Sequence, residues 1–174
     1  VTVPAIFSHG AVLAKREKVP VFGKGTPGEK VTVRFDRQIC RTSVGTDGRW
    51  EVILNLKDSP VGPFELHIND KVIKDVIVGE VFLASGQSNM EMPMCGYYNC
   101  PVENALEYIS APAAREKIRM FKVHQNQTYE PLEDVENSRW EGADSYSIPY
   151  MSAVAYFFAR ELNEMLDIPV GILS

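Results

Sequence analysis

Residues 81–90 read Val-Phe-Leu-Ala-Ser-Gly-Gln-Ser-Asn-Met, and the reading of this stretch decides the fold. Four apolar residues, Val81 to Ala84, suit a buried strand that stops at Ser85-Gly86. Gly86 tolerates backbone conformations closed to residues with a Cβ. Ser88 then stands just past the strand end on a sharp turn, where open α/β sheets place the groups that meet a ligand. A serine at such a turn also serves as a helix cap. The hydrolase elbow Gly-x-Ser-x-Gly is half met, because Met90 occupies the place of the second glycine.

Outward from this turn the chain has two grammars. From Gly79 onward strands alternate with helices, the pattern of a parallel α/β sheet. Strands are predicted over 80–84, 118–123 and 168–173. A helix is predicted from Pro101, with Val102, Ala105, Leu106 and Ile109 on its apolar face. A second is predicted over 152–166, with Val154, Phe158, Leu162 and Met165 on one face. Residues 124–150 form a long polar connection, a functional loop or cover for the site. Its acidic cluster, Glu133, Asp134 and Glu136, reads as solvated surface.

Residues 1–78 read as all-β and sandwich-like. Val31-Thr32-Val33-Arg34-Phe35 and Phe64-Glu65-Leu66-His67-Ile68 alternate apolar and polar. Thr46-Asp47-Gly48-Arg49 predicts a hairpin turn into Trp50–Leu54. Asn69-Asp70 turns into a strand over 72–78. The glycine-rich run at 23–30 fails as a phosphate loop, since the next element is a strand and no Lys-Ser/Thr pair follows the second glycine. The expected organisation is a β-sandwich-like domain at 1–78 and an α/β domain at 79–174.

At 174 residues and 45% hydrophobic the chain can bury a sizeable core. Its net charge of −5, with no basic cluster, argues against nucleic acid or anionic membrane as partner. No apolar run approaches the roughly 20 residues of a membrane span. A chain beginning at Val1 fits a processed or trimmed product, so the lack of a leader does not set its location. Cys40 reads as a small buried hydrophobe, while Cys95 and Cys100 are spaced to close a short loop as a disulfide. His9, His67 and His124 are dispersed without ligand spacing, and Met90, Met92 and Met94 read as packing, so no metal is expected. Asn126-Gln127-Thr128 is a glycosylation sequon.

The block Gly86-Gln87-Ser88-Asn89-Met90 resembles the nucleophile block of the sialate O-acetylesterase family, carbohydrate esterases of the SGNH (GDSL-like) hydrolase superfamily. The segments 4–13, 19–23, 45–50, 152–162 and 168–173 resemble the same family in the same order, as its amino-terminal portion. The resemblance implies an SGNH-type α/β hydrolase domain at 79–174, incomplete at its carboxyl end, and hydrolysis of acetyl esters on sugar hydroxyls without a cofactor. Ser88 would be the nucleophile, its backbone N–H a donor to the oxyanion, and Gly86, Gln87 and Asn89 would shape the site. The substrate would be an acetylated sialic acid or another acetylated glycan, such as acetylxylan. The location would be extracytoplasmic: secreted, periplasmic or lysosomal.

Serine ester hydrolysis also needs a base, normally a histidine oriented by a carboxylate. The family draws the pair from Asp-x-x-His, and three residues before His9, His67 and His124 stand Ile6, Phe64 and Phe121. The isolated chain is therefore expected to be inactive without a missing carboxyl-terminal half, or to self-associate. A different reading makes it a non-catalytic fragment with a sugar-binding or interaction role.

Overall fold

The computed structural model describes residues 1–110, 117–135 and 137–174, so Glu136 of the acidic cluster lies outside the described residues. Strands β1 (Val12–Ala14), β2 (Val19–Lys24), β3 (Lys30–Phe35), β4 (Gln38–Ser43), β5 (Arg49–Leu54) and β6 (Phe64–Ile68) precede β7 (Lys71–Leu83). Then follow α1 (Ser88–Glu91), α2 (Ala105–Ser110), β8 (Ile118–Phe121), β9 (Trp140–Gly142), α3 (Ala153–Leu166) and β10 (Val170–Leu173). The main sheet is mixed, with order β4-β3-β6-β7-β10-β8-β9, and β1 adds to β7. A second sheet pairs β2 with β5.

The alternation read from sequence is the alternation of burial. In β2, Val19, Val21 and Gly23 are buried while Pro20, Phe22 and Lys24 are exposed, and β5 repeats the pattern. Their inner residues share one core with Val31, Val33 and Phe35 of β3 and with Leu66 and Ile68 of β6. Residues 1–78 thus contribute strands of two sheets to one apolar core.

The Asp47-Gly48 turn forms, with Gly48 at φ +76°. It is not a hairpin, however. β5 pairs with β2, and β4 pairs with β3, so the turn carries the chain from one sheet to the other. The two halves of a local turn fix its backbone but not the partner of the strand that leaves it.

β7 is the spine. The strands predicted at 72–78 and 80–84 are one strand of 13 residues, running through the expected 78/79 boundary. It changes partners along its length: antiparallel β6 over 71–76, parallel β1 over 77–79 and parallel β10 over 80–83. Gly79 is not a break. A Cβ there would stand 2.2 Å from the Pro169 carbonyl oxygen, so its missing side chain lets β10 approach.

Two helix faces differ from expectation. Helix α3 buries Ala153, Ala155, Tyr156, Ala159 and Asn163, whereas Val154, Phe158 and Met165 are exposed. Small alanines let the helix lie close on the sheet, and Asn163 is buried because its Nδ2 donates to the Ile168 carbonyl at 2.6 Å. Helix α2 begins four residues after Pro101, behind Asn104 at φ +55°, and leaves Leu106 exposed. Around these helices lies a second core that includes Met94, Ile118, Met120, Ile148, Tyr156 and Ile172.

Candidate functional site

Three parallel strands end together. Leu83, Leu173 and Phe121 share one register across β7, β10 and β8. Beyond them the ladder continues, as Ala84 N–H donates to Leu173 O at 2.7 Å and Ser174 N–H donates to Phe121 O at 3.0 Å. Ser88, Ser174 and the segment Lys122–Gln125 therefore leave one carboxyl edge, the edge at which parallel sheets hold ligands.

Ser88 is the first residue of α1, and Gln87 is its N-cap without a side-chain capping bond. The cap role considered for Ser88 is thus not the one it fills. The Ser88 side chain is exposed, and neither its hydroxyl nor its N–H has a hydrogen-bond partner among the described residues. An unpaired N–H is normal in a first helical turn. Gln87 and Asn89 are exposed beside it.

Gly86 acts differently from its sequence reading. It is not among the residues at positive φ; instead a Cβ would meet Met90 Cβ at 2.9 Å. The residue that breaks the familiar elbow pattern is the one for which the glycine makes room. Met90 in turn receives the Ser152 hydroxyl at its Sδ, 3.7 Å away, and Ser152 caps α3 by accepting from Ala155 N–H. The serine turn is thereby tied to the start of α3.

A cleft of about 610 Å³ opens at this edge, within the size range of small-molecule sites, and is lined by Met90, Glu91, Tyr97, His124, Tyr150 and Ser174 among others. Gln125 Nε2 donates to Glu91 Oε1, which holds the chain after β8 against α1. His124 is exposed yet lines this cleft; no hydrogen bond joins it to Ser88 among the described residues. Its position after β8 was the signal available in sequence. His9 and His67 lie elsewhere, accepting from Lys74 N–H and contacting Glu65 respectively.

Cys95 and Cys100 are exposed free thiols, so the expected disulfide is not formed. Backbone closes their loop instead: Tyr97 and Cys100 exchange N–H to carbonyl bonds of 3.0 Å each. Cys40 is half-buried. A separate hollow of about 420 Å³ lies against Phe22 and Trp50 and is bounded by Lys24, Arg49 and Glu133. There Lys24 and Arg49 both pair with Glu133. Among the described residues no helix is long and apolar enough to cross a membrane.

No family model matches the chain. Sialate O-acetylesterases do: that of Pongo abelii is 32% identical over 175 residues, and that of Rattus norvegicus 34% identical over 180 residues. The human protein is 31% identical over 176 residues. Each alignment covers 88% of this chain but only 31–32% of the relative, so the chain spans about a third of their length. The solved structure of a carbohydrate acetylesterase from Xanthomonas citri superposes with a TM-score of 0.90 at 30% identity, covering 99% of this chain and 39% of that one. Over the third of their length that it spans, this chain is a relative of the sialate O-acetylesterases, and it shares its mixed-sheet fold with a carbohydrate acetylesterase.

Proposed function

We propose that the protein is a carbohydrate O-acetylesterase that removes acetyl groups from sugar hydroxyls, with Ser88 as nucleophile on an SGNH-type α/β layer behind a β-sandwich-like region. One observation carries the reading: an exposed serine with an unpaired hydroxyl and an unpaired N–H stands at the carboxyl edge of three parallel strands, two residues before Met90, which lines a ligand-sized cleft that Ser88 itself does not line. The relatives supply the ester and the sugar.

The chemistry follows from these groups. Ser88 Oγ attacks the acetyl carbonyl carbon as a base accepts its proton, and the Ser88 N–H donates to the oxygen that becomes negative. On collapse the sugar oxygen takes that proton from the base and leaves as a hydroxyl, and water then hydrolyses the remaining acetyl-serine to acetate and free serine. Gly86, Gln87 and Asn89 hold the turn on which this happens. The acetylated sugar is a sialic acid or another acetylated glycan, and the location is extracytoplasmic. Of the histidines, His124 alone faces the cleft.

Acetate release from O-acetylated sugars by the full-length protein tests this. Ser88→Ala should reduce the rate by a factor of about a thousand or more, as losing a nucleophile does. Release that survives Ser88→Ala sinks the assignment. His124→Ala decides the base: an equally deep loss names His124, and a retained rate places the base elsewhere.

A further inference from the structure

Five of the seven tyrosines are more than half exposed, and all five lie between residues 97 and 150; residues 1–78 contain none. An exposed tyrosine is an amphipathic plate, apolar on its faces and polar at its tip. Here three of the plates stand on backbone that is tied down. Cys95 N–H donates to Pro149 O and Met94 N–H to Met151 O, both at 3.0 Å, which fastens the Tyr97 turn to the segment bearing Tyr150. Tyr146 rides a turn whose Asp144 Oδ1 accepts from the N–H groups of Tyr146 and Ser147 at 2.9 and 2.8 Å.

Tyr97 and Tyr150 line the cleft that holds His124 and Met90. Tyr150 also borders an adjoining groove of about 440 Å³, with Tyr146, Arg139, Glu141 and Ser147. One tyrosine is therefore shared by the two hollows. The phenols of Tyr97, Tyr146 and Tyr150 make no hydrogen bond among the described residues. Apolar faces interleaved with charged and hydroxyl groups match a pyranose ring, which offers a C–H face for stacking and hydroxyls at its edge.

We infer that Tyr97, Tyr150 and Tyr146 form the floor of a glycan subsite that binds sugar units adjoining the acetylated one. The substrate class is then an acetylated oligosaccharide or longer glycan, not a free acetylated monosaccharide. This rests on the carbohydrate acetylesterase reading. Rigid plates favour such binding because little order has to be imposed on the protein.

The test is calorimetric binding in two arms: partly acetylated xylotetraose against acetylated xylose, and an O-acetylated sialyl trisaccharide against the free O-acetylated sialic acid. In at least one arm the longer ligand should bind about tenfold more tightly, the scale of one or two aromatic contacts. Tyr146→Ala should remove that advantage while leaving the monosaccharide's affinity unchanged, and Tyr146→Trp should restore it. Tyr129→Ala, exposed but in neither hollow, should change nothing. Equal affinity for long and short ligands overturns the inference alone. A Tyr146→Ala variant that binds both normally but loses self-association also overturns it. Failure of every acetylated sugar to bind sinks the acetylesterase reading and this inference with it.

Discussion

Residues 1–78 and residues 79–174 solve different problems with the same β7 strand. In the first region strands bury alternate residues, and the large apolar groups left exposed are few: Phe22, Ile39, Ile53 and Val61. In the second, exposed apolar and aromatic groups gather around the strand ends, including Leu83, Tyr97, Tyr146 and Tyr150. Exposed apolar patches mark surfaces available for contact, and here they gather in the second region. Yet the regions are not separate bodies joined by a linker. Trp140 and Phe121, from the second, complete the first core, and Trp140 Nε1 donates to Ile6 O at 2.8 Å.

The largest test of that union is Arg119. Its guanidinium is nearly buried on β8, yet it donates to the carbonyls of Gly10 and Asp75 and to Asp75 Oδ1. Asp75 is mostly exposed, so the bonds to carbonyl oxygens carry most of the energy. Arg119→Met keeps the apolar stem and leaves two carbonyls without their donor, a loss of about 3 kcal/mol. Urea unfolding followed by tryptophan fluorescence and by circular dichroism should still give one coincident transition. Two separated transitions would show that the regions fold independently and that β7 does not join them.

A smaller effect is expected at Gly79. A Cβ there meets Pro169 backbone, which cannot swing away as a side-chain tip can. Gly79→Ala should lower stability by about 2 kcal/mol without changing the denaturant slope. Indifference at this position would mean that β10 approaches β7 less closely than the geometry indicates.

The same contrast explains what was legible in sequence. Strands β2, β3, β5 and β6 follow from alternation alone, because each has one face in a core. That Ser88 stands just past the end of a strand followed from an apolar run that stops at Ser85-Gly86. The continuity of β7 was hidden, because glycine reads as a boundary whether it turns the chain or only admits a neighbour. The buried face of α3 was misread because alanines, weak in any hydrophobic ranking, are what a close helix–sheet contact requires. The cleft was beyond reach for a further reason. Its residues come from α1, from three connections and from Ser174, pinned by irregular backbone bonds such as Ala153 N–H to Met92 O at 2.8 Å, and no periodicity marks those.

The smallest expected effect concerns the exposed segment 124–135, which leaves the cleft at His124 and returns to the first region at Glu133. Glu133 receives Lys24 Nζ of β2 and Arg49 of β5, while Asp134 Oδ1 accepts from Ala5 N–H at 2.9 Å. The hydrogen bond from Lys24 holds the Glu133 carboxyl below its ordinary value, against desolvation, and the charges of Lys24 and Arg49 add to it. A lowered folded value fixes the sign. The contribution is complete above the unfolded glutamate value of about 4.3 and is lost as the pH falls through the lower folded one. All three side chains are substantially exposed, so this clasp should register as local motion and not as global stability. Hydrogen exchange over residues 125–135, corrected for intrinsic rates, should rise below about pH 4 and on adding salt. Glu133→Gln should reproduce that rise at neutral pH with the unfolding midpoint unmoved. If exchange stays flat across that acid range and in the variant, the segment is held by Asp134 and backbone alone. The first region would then act on the cleft only through the buried contacts of Arg119 and Trp140.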